Sequence, residues 1–140
     1  MSKGGVIIDL SVKSKKSEVE SFLTELNGLL NRDAFNIDSD FLLIRARKSM
    51  DEEHSTPYTL LDLNYNAEDV VRRISELTIS EYSETLIDKD NVDPPLLFVF
   101  GKNIEGKLVY IKMKIKGEEK RQILCVSFHY AKERMEFPYA

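Results

Sequence analysis

With one cysteine, Cys125, the chain cannot form an intramolecular disulfide, and cysteine-based zinc sites are excluded with it. A reducing compartment, the cytoplasm, is the expected setting. Long apolar runs are also missing: the longest uncharged one, Pro94 to Phe100, falls far short of the roughly 20 residues a membrane helix needs. The N-terminus offers only Val6-Ile7-Ile8 before Asp9 intervenes, with no small-residue cleavage site, so no secretory signal is expected. Repeats and low-complexity segments are absent. Acidic clusters such as Asp88–Asp90–Asp93 lack the spacing of a calcium loop, so neither a metal nor another cofactor is expected.

What is present suits one ordinary globular domain of 140 residues, with 42% apolar and 31% charged side chains. Net charge is −4, but it is unevenly placed. From Phe100 onward nine basic residues face five acidic ones, a balance of +4, which leaves −8 for the rest. Opposite fields at the two ends are a statement about partners, not about fold.

Val6 to Val12 reads as a short strand or extended lead-in. Ser17-Glu18-Val19-Glu20 has the spacing of a capping box and predicts a helix, with Val19, Phe22, Leu23, Leu26, Leu29 and Leu30 as its apolar stripe. Phe41 to Ile44 is compatible with strand or helix. Lys48 to Pro57 reads as a polar loop closed by proline, and His54 within it as solvent-exposed. Asn66 with Asp69 caps a second helix. Thr78-Ile79-Ser80-Glu81 repeats the pattern and predicts another short helix to about Leu86, before a turn-rich connection from Asp88 to Pro95.

Strands follow: Leu96 to Phe100, a turn within Asn103–Lys107, Leu108 to Lys116, a turn at Gly117–Lys120, and Gln122 to Tyr130. Phe137-Pro138-Tyr139 is limited to an edge position by its proline. The expected fold class is α+β, N-terminal helices packed on a mainly antiparallel sheet.

Alternation puts Val109, Ile111, Met113 and Ile115 on one face of their strand and Tyr110, Lys112, Lys114 and Lys116 on the other. A turn of two or four residues pairs Ile115 with Gln122 and Tyr110 with Ser127. Val109 then meets Phe128, Ile111 meets Val126 and Met113 meets Leu124, a core face. Leu108 meets His129 on the other side, with Lys112 opposite Cys125, so Tyr110, Lys112 and His129 share one non-core patch. An odd turn length would slip the register and turn one strand over.

A phenol, an imidazole and several ammonium groups on one face suit a phosphodiester. Lysines offset charge that builds in the transition state, histidine exchanges protons near neutrality, and RNA brings its own nucleophile, the 2′-hydroxyl. Tyr110, Lys112 and His129 are therefore the candidate catalytic residues, with Lys102, Lys114 and Lys116 as candidate RNA contacts. The bland alternative is a solvated lysine face. Cys125, without a paired base, reads as a buried, inert thiol.

Leu77-Thr78-x-x-Glu81-Tyr82, Val99-Phe100-Gly101-Lys102, Val109-Tyr110-Ile111-Lys112, Val126-Ser127-Phe128-His129 and Phe137-Pro138-Tyr139, in this order, resemble the MqsR-like toxins of type II toxin–antitoxin systems. The resemblance covers roughly Asn66 onward. It implies a RelE-like α+β fold and a metal-independent endoribonuclease that cuts mRNA and is held inactive by a cognate antitoxin. It also implies functional roles for Tyr110 in the Tyr-x-Lys strand and for His129, which stands where the archetype has lysine. Two further polar positions of the family lack clear equivalents; Ser83 and Leu97 fall nearby. The alternative function is a non-catalytic RNA- or protein-binding module of the same fold.

Overall fold

Glu18, not Glu20, supplies the capping carboxylate of the first helix. It accepts the Lys15 backbone N–H at 2.8 Å, so α1 (Lys16–Leu30) starts one residue before Ser17, which lies inside it. The stripe is as expected: Val19, Phe22, Leu23, Leu26 and Leu29 are buried. The structure, a computed structural model, describes residues 10–45, 51–88 and 96–140. Most of the expected Val6–Val12 lead-in and most of the Asp88–Pro95 connection lie outside them; Ser11–Val12 forms strand β1.

After α1 come the single turn α2 (Ile37–Asp40) and strand β2 (Phe41–Leu43), which settles the ambiguous apolar run as strand. A helix unforeseen in sequence, α3 (Thr56–Leu63), follows a 3₁₀ turn at Glu52–His54. Pro57 does not close a loop there; it sits in the first helical turn, where its missing N–H costs nothing. Ser55 caps this helix by accepting the Tyr58 N–H. In α4 (Ala67–Ser75), Asn66 and Asp69 exchange the expected reciprocal bonds at 2.9 and 3.0 Å.

The helix expected from Thr78 to Leu86 is a single 3₁₀ turn, Ile79–Glu81, followed by strand β3 (Tyr82–Ile87). Glu81 does accept the Thr78 N–H at 3.0 Å. The residues beyond it find partners on both sides, β1 and β4, and that pairing overrides the local helix signal. Strands β4 (Leu96–Ile104), β5 (Lys107–Lys116) and β6 (Gln122–Tyr130) complete the sheet. Its order is β1-β3-β4-β5-β6-β2, antiparallel except for β2 beside β6. Among the described residues the fold is thus α+β, a mostly antiparallel six-stranded sheet with four helices.

One face of the sheet meets the helices in the main core, where Phe22 stacks on Phe98 with ring centroids 4.3 Å apart. The other face carries a smaller cluster, Leu86, Leu97 and Val99, joined by Tyr110, Val126 and Met135. No helix among the described residues is long and apolar enough to cross a membrane.

The β5–β6 hairpin departs from the expected register twice. Its connection, residues 117–121, sets Lys116 opposite Gln122 and Ile115 opposite Ile123, a slip of one residue. Gly117 makes this possible at φ +101°, with its Cα so close to the Lys120 carbonyl that a Cβ would sit 2.1 Å from the oxygen. Alone, the slip would turn β6 over. A second one-residue shift further along restores the facing: Met113 pairs with Cys125 but Lys112 pairs with Ser127, leaving Val126 as the extra residue of a β-bulge. The core pairs are therefore Val109–Tyr130, Ile111–Phe128 and Met113–Cys125, replacing Val109–Phe128, Ile111–Val126 and Met113–Leu124.

The outer edge of β6 beyond β2 is covered by a helix. Thr56 Oγ1 accepts the Phe128 N–H at 3.1 Å and Thr59 Oγ1 accepts the Tyr130 N–H at 2.9 Å. Spaced one turn apart on α3, the two hydroxyls do the work of a neighbouring strand.

After β6 the chain leaves the sheet; Phe137-Pro138-Tyr139 forms no edge strand. It crosses close to Gly101, where a Cβ would meet the Phe137 ring at 2.8 Å and Met135 Sδ at 3.0 Å. Tyr139 then stacks on Tyr82, centroids 5.8 Å apart, and donates to the Ser14 carbonyl at 2.5 Å. Gly101→Ala should therefore push the tail outward at a cost of about 1–3 kcal/mol. A lowered melting temperature with faster proteolysis within residues 131–140 would show it. An unchanged melting temperature would mean the tail is not seated there.

Candidate functional site

Tyr110, Lys112, Ser127 and His129 line a cleft of about 850 Å³ on the face away from the helices. Its far wall is the tail from Lys132 to Pro138, and its end is closed by β1 and β3 through Val12, Lys13 and Glu84. The bulge decides what meets what. With Val126 looped out of register, Tyr110 lies directly opposite His129 and Lys112 opposite Ser127, where a regular hairpin had paired Tyr110 with Ser127 and Leu108 with His129. The Tyr110 and His129 rings stack, with centroids 5.0 Å apart and planes 13° from parallel.

His129 is largely buried, and its tautomer is set by its neighbour. Nδ1 lies 2.9 Å from the Tyr130 carbonyl oxygen, which only accepts, so Nδ1 carries the hydrogen and Nε2 holds the lone pair. Burial pushes its pKa below the usual 6.5, and the charges of Lys112 and His54 push the same way, against the opposing effect of the Tyr130 carbonyl. At neutral pH the ring is therefore an uncharged base, poised beside an ammonium group.

The other expected lysines are not gathered here. Lys102 lies on the helix-facing side of β4, since it pairs with inward-pointing Val109, and its ammonium sits 3.3 Å from Glu81 and 3.6 Å from Glu76. Lys114 is on the cleft side of β5, yet it is only 1% exposed and bonds Asp88 at 2.8 Å. Lys116 is half-buried at the strand end beside the Gly117 turn and does not line the cleft. The cations that do line it, besides Lys112, are Lys13, Lys132 and Arg134, with Glu84, Glu133 and Glu136 among them. Lys132 and Arg134 were visible in sequence only as part of the C-terminal positive balance; nothing local says that the tail folds back. Lys13 sits by the two-residue strand β1, whose pairing with β3 no sequence pattern announces.

His54 is not the exposed loop side chain that sequence suggested. It is half-buried, with Nδ1 2.9 Å from Asp51 Oδ2. Cys125 is fully buried, and burial pushes its thiol up to about 12, so it is inert as a nucleophile. Among the described residues no three His, Cys, Asp or Glu side chains gather as a metal site would need. No protein-family model, curated protein or solved structure matches this chain.

Proposed function

We propose that this chain is an endoribonuclease toxin of MqsR-like type, with a RelE-like fold, acting in the cytoplasm on mRNA and neutralised by a cognate antitoxin. The observation that carries the chemistry is the stacked Tyr110–His129 pair, with a neutral imidazole whose Nε2 lone pair is fixed by the Nδ1–H bond to Tyr130. His129 takes the proton from a ribose 2′-hydroxyl, the 2′-oxygen attacks the adjacent phosphorus, and the 5′-oxygen leaves. Lys112 sits two residue pairs along, next on the same face, and offsets the charge that builds on the phosphorane. Tyr110 orients the RNA through its ring and hydroxyl. The nucleophile belongs to the substrate, so no metal is needed, and the products are a 2′,3′-cyclic phosphate and a 5′-hydroxyl. The antitoxin rests on the family resemblance alone.

The carboxylates Glu84, Glu133 and Glu136 on the same rim favour one rival, a non-catalytic module that binds RNA or protein through this face. Incubation of a long structured RNA with the protein in EDTA separates the two. Cleavage predicts discrete cuts with cyclic phosphate ends; the rival predicts intact RNA and, for RNA binding, affinity that falls steeply with salt.

The pH profile adds a signed expectation. The base must be unprotonated, and its pKa is depressed, so the acid limb of the kcat/KM profile should lie below 6.5. An acid limb at or above 6.5 would mean that His129 is not the base.

A further inference from the structure

The second histidine belongs to a different element but is delivered to the same region. The two threonine bonds pin α3 to the edge of β6, and Thr56, bonded to the Phe128 N–H, lies two residues after His54 while Phe128 immediately precedes His129. His54 lines a second cleft of about 470 Å³, with Leu108 and Ala131 in its wall. Leu108 lies two residues before Tyr110 on β5 and Ala131 two after His129, just past the end of β6, and the Ala131 N–H bonds the Leu108 carbonyl at 2.9 Å. Lys132, Glu133 and Arg134 border both clefts. The two imidazoles therefore line neighbouring clefts that share the tail segment Lys132–Arg134 as a wall.

His54 is also held as a working imidazole would be. Asp51 lies 2.9 Å from its Nδ1 and 3.2 Å from Lys132, and these two partners hold the Asp51 carboxyl below its ordinary range. An ionised carboxylate only accepts, so the His54 Nδ1 carries the hydrogen and Nε2 is the nitrogen available for exchange. The bond is not needed to start α3, which Ser55 already caps.

We propose that His54 is the general acid of the RNA-cleaving site, oriented by Asp51, and that it works opposite His129. This rests on the ribonuclease reading above. As the 2′-oxygen–phosphorus bond forms, His129 Nε2 takes the 2′-hydroxyl proton. As the bond from phosphorus to the 5′-oxygen breaks, protonated His54 gives its Nε2 proton to that oxygen. The enzyme is left with His129 protonated and His54 neutral, and exchange with water restores both.

The test compares ordinary RNA with RNA carrying a single 5′-bridging sulfur, whose thiolate leaving group needs no proton. On the ordinary linkage His54→Ala should lose about 10²-fold or more in kcat/KM. On the sulfur-bridged linkage it should come within a few-fold of the unsubstituted protein, while His129→Ala stays slow on both. His54→Gln keeps a donor toward Asp51 but has no acidic proton; it should show the same rescue, which guards against a folding defect in the alanine variant. An unchanged rate on ordinary RNA, or an equal loss on both linkages in both variants, would overturn the assignment while leaving the ribonuclease reading intact. If the unsubstituted protein cleaves neither linkage, the ribonuclease reading fails and this one with it.

Discussion

His129→Ala is expected to lower RNA cleavage by about 10²–10⁴-fold, the usual worth of a positioned acid–base group. The variant should still fold. What it loses structurally is the stacking partner of Tyr110 at 5.0 Å and one bond to the Tyr130 carbonyl, about 0.5–1.5 kcal/mol for such a ring pair, a fall of a few degrees in melting temperature. The measurement is single-turnover cleavage of one RNA beside a thermal melt. A large kinetic loss with a small thermal one assigns the residue to chemistry. Comparable losses in both would make it a packing residue. His129→Lys sharpens the result, because a lysine must shed its proton before it can act as a base. Its residual activity should rise with pH well above the acid limb of the parent. A loss equal to that of alanine at every pH would mean that geometry, not basicity, matters at this position.

The sequence was legible where one periodicity governed an element and misleading where tertiary partners chose. The stripe of α1, the Asn66–Asp69 box and the alternation of β5 each follow from local spacing, and each is found. Three features that build the site are not local. The Val126 bulge compensates a slip set four residues earlier on β6, at the Lys116–Gln122 pair, and no single-strand pattern encodes it. It nonetheless restores the parity of β6 near its end, which is why Tyr110, Lys112 and His129 share a face although the individual pairs shifted. Helix α3 was hidden because Lys48 to Pro57 reads as a loop closed by proline, and nothing local shows that the Thr56 and Thr59 hydroxyls meet the edge of β6. The tail that walls the cleft depends on Gly101, whose missing side chain leaves the gap for Phe137. Charge was read correctly in sum and incorrectly in place. Lys102 and Lys114 contribute to the positive C-terminal third, but their ammonium groups are engaged by Glu76, Glu81 and Asp88, carboxylates of the acidic remainder. Part of the apparent field is thus internal ion pairing between the two regions.

Lys114 gives the second large effect, and it is one of stability. Its ammonium is 1% exposed and 2.8 Å from the Asp88 carboxylate, itself 15% exposed, at the end of β3. Taking two charges out of water costs several kcal/mol per ion, and their mutual attraction repays this only while both are present. Asp88→Ala withdraws that carboxylate from beside a buried cation, and should cost about 3–5 kcal/mol, a drop on the order of 10 °C or more in melting temperature. Lys114→Met behaves differently. It removes the buried charge, fills much the same space along β5 beside Leu124, and should leave stability near or above that of the parent. The pair Lys114→Met with Asp88→Ala should then recover most of what Asp88→Ala alone loses, because the ion that needed the carboxylate is gone. Denaturant unfolding of the four proteins measures this as a coupling energy. A coupling near zero would mean that solvent already screens the pair and that Lys114 is more accessible than its burial indicates. The same variants decide whether Lys114 belongs to RNA recognition. A lysine buried in the sheet contributes no phosphate contact, so Lys114→Met should leave both cleavage and the salt dependence of RNA binding as they are, whereas neutralising Lys112 in the cleft should weaken both.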